Sequence, residues 1–278
     1  MTMSFKHLLA AATFVTTTAA SAASGYEWQV KSGSAQIQFS ADLVPHLAAT
    51  GSRFGTATNV PNVLPGLPNI GAINRAHFYE PARMLYLTFD AGTTQGDALT
   101  SMQAGDSFLT LRRVAYDDNE VAHITSVFFT EFDVDFTSAT FYANLYARQD
   151  TAPGRPTQSF GKVAVFIADA PGLSGGTQGN VVVGDPQGAK GVIGHASGSL
   201  TGHLRLKDSA ADLIMSSLGL GDTTNAALAT EIRQSDWGTV NFTAYLEGTP
   251  AVPEPSSYAL IGAGLLAFCA TRRFGRLG

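Results

Sequence analysis

Residues 124–136 read ITSVFFTEFDVDF, and this stretch gives the clearest indication of the fold. In its second half, apolar and acidic side chains alternate, which places them on opposite sides of an extended chain. The apolar set is Phe132, Val134 and Phe136, and the acidic set is Glu131, Asp133 and Asp135. The stretch is long enough for one extended strand or two. Thr137-Ser138-Ala139 then turns the chain into Thr140–Ala147, which predicts a β-hairpin.

Short runs of the same kind recur along the chain and predict further strands. They are Ile37–Phe39, Met84–Phe89, Ser107–Leu111, Lys162–Ala168, Asn180–Val183, Ser199–Lys207 and Thr239–Leu246. The glycine-rich stretch Gly172–Gly202 is expected to form loops and edge strands with tight turns. Asn59–Gly71, which several prolines punctuate, is expected to be a loop.

Three stretches carry the signals of short helices. They are Ala41–Ala49 with Ser40 as its cap and Pro45 as an interruption, Ser209–Leu218 with Asp208 as its cap, and Thr223–Gln234 with Asp222 as its cap. Since strand patterns dominate elsewhere, the sequence predicts a mainly β fold. We expect an antiparallel, sandwich-like domain with two short helices near its C-terminal end.

The last 27 residues, VPEPSSYALIGAGLLAFCATRRFGRLG, combine three features. Pro253-Glu254-Pro255 makes a stiff, extended break, because proline fixes φ and disfavours helix just before it. Tyr258–Ala270 is an uncharged run that predicts a short hydrophobic helix, and three arginines follow it: Arg272, Arg273 and Arg276. Such a helix spans about 20 Å, which is short of the roughly 30 Å hydrocarbon core and makes a membrane span marginal.

This order of features at the extreme C-terminus resembles the tripartite PEP-CTERM sorting signal of Gram-negative bacteria. The resemblance covers residues 252–278 and implies recognition by an exosortase, a membrane transpeptidase. The enzyme is expected to cut near Pro253-Glu254-Pro255 and to release or re-anchor the product. By the positive-inside rule, the arginines would stay cytoplasmic and the body would lie outside. Members of this family typically accompany exopolysaccharide and biofilm formation.

The N-terminus predicts export as well. Lys6 precedes the apolar run Leu8–Val15, and Ala20-Ser21-Ala22 gives a small-x-small cleavage pattern for signal peptidase. The predicted divisions are a signal peptide, 1–22, a β-rich exported domain, 23–251, and the sorting signal, 252–278. We expect the protein to be held transiently at the inner membrane and then placed at the cell surface or outside the cell.

Charge and cysteine content limit the partners of the exported body. Lys6 and the tail arginines account for four of the 17 basic residues, and Glu254 for one of the 22 acidic residues, so the body has a formal charge of about −8. No basic patch is present that would neutralise phosphates, so nucleic acid is not an expected partner. The one cysteine, Cys269, lies in the tail, which leaves the body without disulfide or thiol chemistry.

One short motif suggests catalysis. Residues 172–176, GLSGG, fit the G-x-S-x-G nucleophile elbow with Ser174 as nucleophile, and Asp185 or Asp208 with His203 would complete the order of a triad. The elbow requires a helix directly after the serine, whereas the following segment here is strand-like. We therefore favour turn glycines as the interpretation of this motif.

The acidic face of the opening stretch suggests a metal site. Carboxylates of Glu131, Asp133 and Asp135 are oxygen ligands of the type that calcium takes, although the spacing of an EF-hand loop is absent. A solvated face of an edge strand is the favoured alternative. The histidines of the body show no zinc spacing: they are His46, His77, His123, His195 and His203. Several aromatic residues would serve either as sugar platforms or as core: they are Trp28, Tyr79, Tyr86, Tyr142, Tyr146, Trp237 and Tyr245.

These observations predict a non-catalytic exported protein with a structural or matrix-associated role in exopolysaccharide or biofilm. The expected partners are signal peptidase, an exosortase, the membrane through the C-terminal helix before processing, and extracellular polysaccharide. A carbohydrate- or calcium-binding module is the alternative, and a secreted serine hydrolase using Ser174 is the second alternative. No cofactor is expected apart from calcium in the first of these alternatives.

Overall fold

The computed structural model describes residues 25–55, 74–153, 157–168, 180–186, 191–221 and 226–251. The chain divides into a compact unit, Glu27–Pro250, and a second unit made of its two ends. The predicted signal peptide and the sorting tail lie outside the described residues, as do the predicted loop Asn59–Gly71 and Ser174. The boundaries proposed for the signal peptide and the exported domain therefore stay predictions.

Twelve strands form one antiparallel sheet within the described part of the chain. They are β1 (Tyr26–Gln38), β2 (Ser52–Gly55), β3 (Ala76–Tyr79), β4 (Met84–Phe89), β5 (Ala91–Gln95), β6 (Ala98–Tyr116), β7 (Ala122–Asp135), β8 (Thr140–Gln149), β9 (Thr157–Ala168), β10 (Val182–Pro186), β11 (Val192–Leu206) and β12 (Gly238–Pro250). Their order is β2-β6-β7-β8-β9-β11-β12-β1-β4-β3, with β5 paired to β6 and β10 to β11. The predicted mainly antiparallel β fold is confirmed.

The sheet folds back on itself so that its two halves face each other. The first half (β2, β5, β6, β7, β8 and β9) joins the second (β10, β11, β12, β1, β4 and β3) through only three residue pairs between β9 and β11. At the other end, Asp90 N donates to Gln103 O at 3.0 Å, and Arg75 N donates to Asp106 O at 2.9 Å. The sheet is therefore nearly closed, and two inner faces bury a common core, as the sandwich-like prediction requires.

Aromatic rings fill the space between the halves. Phe136, just after β7, lies 4.4 Å from Phe242 of β12, measured between ring centroids. Trp237 is fully buried and contacts Phe166 of β9 at 5.1 Å. Burial of a side chain of this size contributes about 1.5–3 kcal/mol to stability. These contacts tie strands that are distant in sequence into one core.

Three short helices accompany the sheet: α1 (Leu43–Ala49), α2 (Asp208–Ser217) and α3 (Ala226–Gln234). All three were predicted, but their starts differ. Pro45 falls in the first turn of α1, where a missing N–H does not break the helix. The predicted cap of α2, Asp208, is instead its first helical residue, because Lys207 is still extended and its N–H bonds Val165 O of β9. The predicted cap Asp222 lies outside the described residues.

Two strand predictions need correction. The glycine-rich stretch was expected to form loops and edge strands, but its part from Val192 onward belongs to the long strand β11, which pairs with β12 on one side and with β9 and β10 on the other. Glycine suits this strand, because a Cβ at Gly194 would lie 2.5 Å from the Trp28 ring. Likewise, β7 lies between β6 and β8 and is not an edge strand.

Candidate functional site

The outward face of the second half of the sheet carries an unusual set of side chains. Strand β12 shows how it forms, because its apolar residues are buried and the residues that alternate with them point outward. The outward residues Asn241, Thr243 and Tyr245 are polar and carry no formal charge, and the next outward residue along the strand is Glu247. Since the same alternation holds in β4 and in the last part of β1, from Ser34 onward, the polar residues of neighbouring strands lie side by side.

Cross-strand register assembles these residues into rows. Ser199 lies opposite Asn241, Ser197 opposite Thr243, and His195 opposite Tyr245. Ser34 lies opposite Thr88, and Gln36 opposite Tyr86, which in turn lies opposite His77. Between β12 and β1, the Ser34 and Thr243 hydroxyls are 2.9 Å apart. We name this surface the hydroxyl face, defined by Ser34, Gln36, His77, Tyr86, Thr88, His195, Ser197, Ser199, Asn241, Thr243 and Tyr245.

The hydroxyl face consists of hydroxyl, amide and imidazole groups. None of its members is Asp, Glu, Lys or Arg, although the body as a whole is acidic. At one end of the face, Lys31 Nζ lies 3.1 Å from Glu247 Oε2, so that charge pair marks its limit. Hydroxyl and amide groups both donate and accept hydrogen bonds, which suits a ligand that presents many hydroxyls of its own.

Aromatic rings occur at two places on the face. The His195 and Tyr245 rings meet edge-on with their centroids 5.5 Å apart. Tyr86 is 37% exposed and lies opposite the exposed His77. Of the aromatic residues that sequence patterns suggested as platforms, Trp28 and Trp237 are instead core residues, at 9% and 0% exposure. Whether an aromatic residue lies in the core or on the surface depends on which side of the sheet its side chain faces, and composition does not reveal this.

The predicted calcium ligands lie on the first half of the sheet, each with a protein partner. Glu131 accepts a hydrogen bond from Asn144, and Asp133 forms an ion pair with Lys162. Asp135 accepts hydrogen bonds from Thr137 N and from both N and Oγ of Ser138. Among the described residues, no three His, Cys, Asp or Glu side chains are grouped to hold a metal ion. Calcium binding by these carboxylates stays a prediction.

Local electrostatics on this side follow from the same contacts. Partial burial acts to raise the pKa of Asp135, but the hydrogen bonds from Ser138 and Thr137 outweigh it and hold the pKa below its ordinary value. Burial and the negative charge of Glu131 raise the pKa of Tyr146. In the β6–β7 turn, hydrogen bonds from Val121 N and from His123 lower the pKa of Asp117. The hydrogen bonds that lower the pKa values of Asp117 and Asp135 also hold the turns beside these residues.

The groups suggested for a hydrolase are not seen together in the described chain. His203 Nδ1 lies 2.5 Å from Asp236 Oδ2, an acidic group that the sequence did not suggest for this histidine. Asp236 also accepts a hydrogen bond from Gly238 N at 2.7 Å and thereby holds the turn before β12. With Ser174 outside the described residues, the hydrolase stays a hypothesis.

Two open depressions lie at one end of the sheet. One, of about 320 Å³, is lined by Arg148, Thr157 and Ser216 among others. The second, of about 300 Å³, is lined by residues around His123 and Pro153. Neither depression is lined by a member of the hydroxyl face or by Glu131, Asp133 or Asp135.

The sorting tail is the part of the chain that can be assigned. Residues 251–273 match the PEP-CTERM protein-sorting motif. The match includes Pro253-Glu254-Pro255 and the first two tail arginines, Arg272 and Arg273. The predicted resemblance is thereby confirmed, and the motif implies exosortase-dependent export and sorting to the cell surface.

Outside the PEP-CTERM motif, the similarity of this chain to known proteins is weak. No curated protein matches the chain. Among solved structures, the C-terminal domain of HtaA from Corynebacterium glutamicum is similar over 79% of this chain and 99% of that one, with 11% identity and a TM-score of 0.37. A similarity of that size carries no argument about function. In the described residues, no helix is both long and apolar enough to cross a membrane; the predicted hydrophobic helix Tyr258–Ala270 lies outside them.

Proposed function

We propose that the protein is a non-catalytic component of the extracellular matrix whose β body binds matrix polysaccharide through the hydroxyl face. The observation that supports this proposal is the set of polar rows on five neighbouring strands, β11, β12, β1, β4 and β3. A flat face of hydroxyls, amides and aromatic rings offers hydrogen bonds and stacking to a sugar chain without a deep pocket.

The polar rows are well suited to rigid binding. Their side chains stand on strands whose opposite faces are buried, so the backbone beneath them is fixed by core packing. Short side chains such as Ser34 and Thr243 lose little rotamer entropy when a ligand binds. Because the ordering of interface side chains is one of the costs of binding, a preformed face of short side chains favours affinity.

Sorting places this face where polysaccharide is found. In the proposed sequence of events, signal peptidase cleaves after Ala22, the C-terminal helix holds the protein at the inner membrane, and exosortase cuts near Pro253-Glu254-Pro255. The body then acts at the cell surface or in the matrix. Replacing these three residues with alanine should leave the protein unprocessed in the membrane fraction, as cell fractionation and mass would show. Unchanged processing and location would contradict the sorting step.

Binding is tested on the full chain in detergent, with the matrix polysaccharide of the producing cells. A triple variant of the hydroxyl face, Gln36→Ala, Asn241→Ala and Thr243→Ala, should lose most of the binding seen by co-sedimentation and calorimetry. The matched control replaces three exposed glutamines of the first half: Gln103→Ala, Gln149→Ala and Gln158→Ala. Equal binding by both triple variants would contradict the proposed function.

A further inference from the structure

We infer that the polysaccharide recognised is a linear, uncharged glycan, which two aromatic–imidazole pairs hold at opposite corners of the hydroxyl face. This inference rests on the proposed function and names its ligand class. The first pair is Tyr245 with His195, and the second is Tyr86 with His77. Each pair joins neighbouring strands, so each is fixed by backbone register.

The two pairs are separated by a distance that register determines. The Ser34–Thr243 hydrogen bond and the Lys31–Glu247 ion pair show that β1 and β12 run antiparallel. Tyr245 lies two residues from Thr243 in one direction, and Tyr86 lies opposite Gln36, two residues from Ser34 in the other direction. Tyr86 and Tyr245 are therefore two strands apart across the sheet and four residues apart along it, which corresponds to a distance of roughly 17 Å.

A ligand that contacts both pairs must therefore be extended. A disaccharide is too short to span this diagonal, whereas an oligosaccharide of several units covers it. The side chains between the pairs are hydroxyls and amides, chiefly Ser34, Gln36, Asn241 and Thr243. They provide hydrogen bonds along the chain while the two rings stack on sugar faces at its ends.

Charge selects a neutral glycan over a polyuronate. The members of the hydroxyl face include no Lys or Arg to pair with a carboxylate. Two cations lie next to the face, and both are already in ion pairs: the Lys31 ammonium with Glu247, and the guanidinium of Arg75, whose carbonyl accepts from Thr88 N, with Asp90 and Asp106. The body also carries a formal charge of about −8, so a polyanion would be repelled by it. Screening limits this repulsion to about 8 Å at physiological ionic strength.

The test compares three soluble probes on the full chain in detergent by calorimetry: cellohexaose, cellobiose and a galacturonic acid hexamer. We expect cellohexaose to bind at least about tenfold more tightly than cellobiose, and the charged hexamer to bind more weakly than cellohexaose. Tyr86→Ala and Tyr245→Ala should each weaken cellohexaose binding about tenfold, as expected for an aromatic anchor. Tyr86→Phe retains the ring and should retain most of the binding.

The matched control is Tyr116→Ala, because Tyr116 is 70% exposed at the end of β6 and lies off the hydroxyl face. Equal affinity for cellohexaose and cellobiose, a preference for the charged hexamer, or equal losses in Tyr86→Ala and Tyr116→Ala would overturn the inference. If the matrix polysaccharide binds and the triple variant abolishes that binding, the proposed function survives such a result. If neither the matrix polysaccharide nor any of the three probes binds, both the proposed function and this inference are contradicted.

Discussion

Arg113 of β6 joins two helices to the sheet, and its removal offers a quantitative test of the fold. Its Nε donates to Thr50 O, at the end of α1, at 2.9 Å. Its Nη1 donates to Leu218 O at 2.8 Å and to Gly219 O at 3.1 Å, at the end of α2. Carbonyl groups at a helix C-terminus lack partners within the helix and carry partial negative charge. One guanidinium therefore satisfies both helix ends.

The expected loss in Arg113→Ala follows from these three bonds. A hydrogen bond to a charged group contributes about 1.5–3 kcal/mol when buried, but Arg113 is half-buried and water would solvate the exposed carbonyls. We expect the free energy of unfolding to fall by about 2–3 kcal/mol. For a body of this length, that loss lowers Tm by roughly 5–10 °C.

Urea unfolding followed by circular dichroism measures this change. Arg113→Lys retains the charge but not the fork that reaches both helix ends, so it should recover about half of the loss. Arg53→Ala removes an exposed arginine of β2 and should change stability by less than about 0.5 kcal/mol. If Arg113→Ala falls within the same limit as Arg53→Ala, the two helix ends do not depend on this side chain and the reasoning is refuted.

Two further substitutions test backbone and charge. Gly238 has φ of 126° and a Cβ there would overlap the Gln38 carbonyl oxygen, so Gly238→Ala should cost more than about 3 kcal/mol in urea unfolding. Gly55→Ala, with open space around its Cβ, should differ little from wild type; equal losses would contradict the steric argument. Because the folded pKa of Asp135 is lowered, its contribution is present above the unfolded value and is lost as pH falls through the folded one. Asp135→Asn should therefore destabilise at pH 7 and converge with wild type in unfolding titrations near pH 2, and a constant difference at both pH values would refute this.

Strands with clean alternation could be predicted closely from the sequence. Met84–Phe89 is β4 as predicted, and Thr239–Leu246 lies within β12 with its apolar residues buried. Strands without that pattern were missed, because β5 (Ala91–Gln95) has no large apolar side chain and β2 has only Phe54. Such strands are fixed by pairing with long neighbours, and local sequence carries little of that information.

Interruptions of alternation explain the remaining differences. Strand β1 begins at Tyr26, well before the predicted strand Ile37–Phe39, and ends at Gln38, because the polar run Lys31–Ser34 conceals the continuity of the strand. Within β7, Glu131 has a φ of 53° at the point where the pairing with β8 shifts register. None of the residue types at this point predicts the irregularity. A bulge is stabilised by the strands on either side of it, so it cannot be predicted before the pairing of those strands is known.

The hydroxyl face could not be predicted from single stretches. Gln36, Tyr86 and Asn241 come from three distant parts of the chain, and each is an ordinary outward residue of its own strand. Only the order β12-β1-β4 brings them together. Sequence patterns named Tyr86 and Tyr245 as aromatic candidates, but the absence of charge between them depends on register.

Hydroxyl-radical footprinting of the full chain with and without cellohexaose tests the central claim most directly. Mass spectrometry then reports the oxidation of individual side chains. The account predicts that cellohexaose protects His77, Tyr86, His195 and Tyr245, while Tyr116 is oxidised at the same rate as before. Protection of Tyr116 or of residues around the Arg148 depression, with Tyr86 and Tyr245 unchanged, would contradict it.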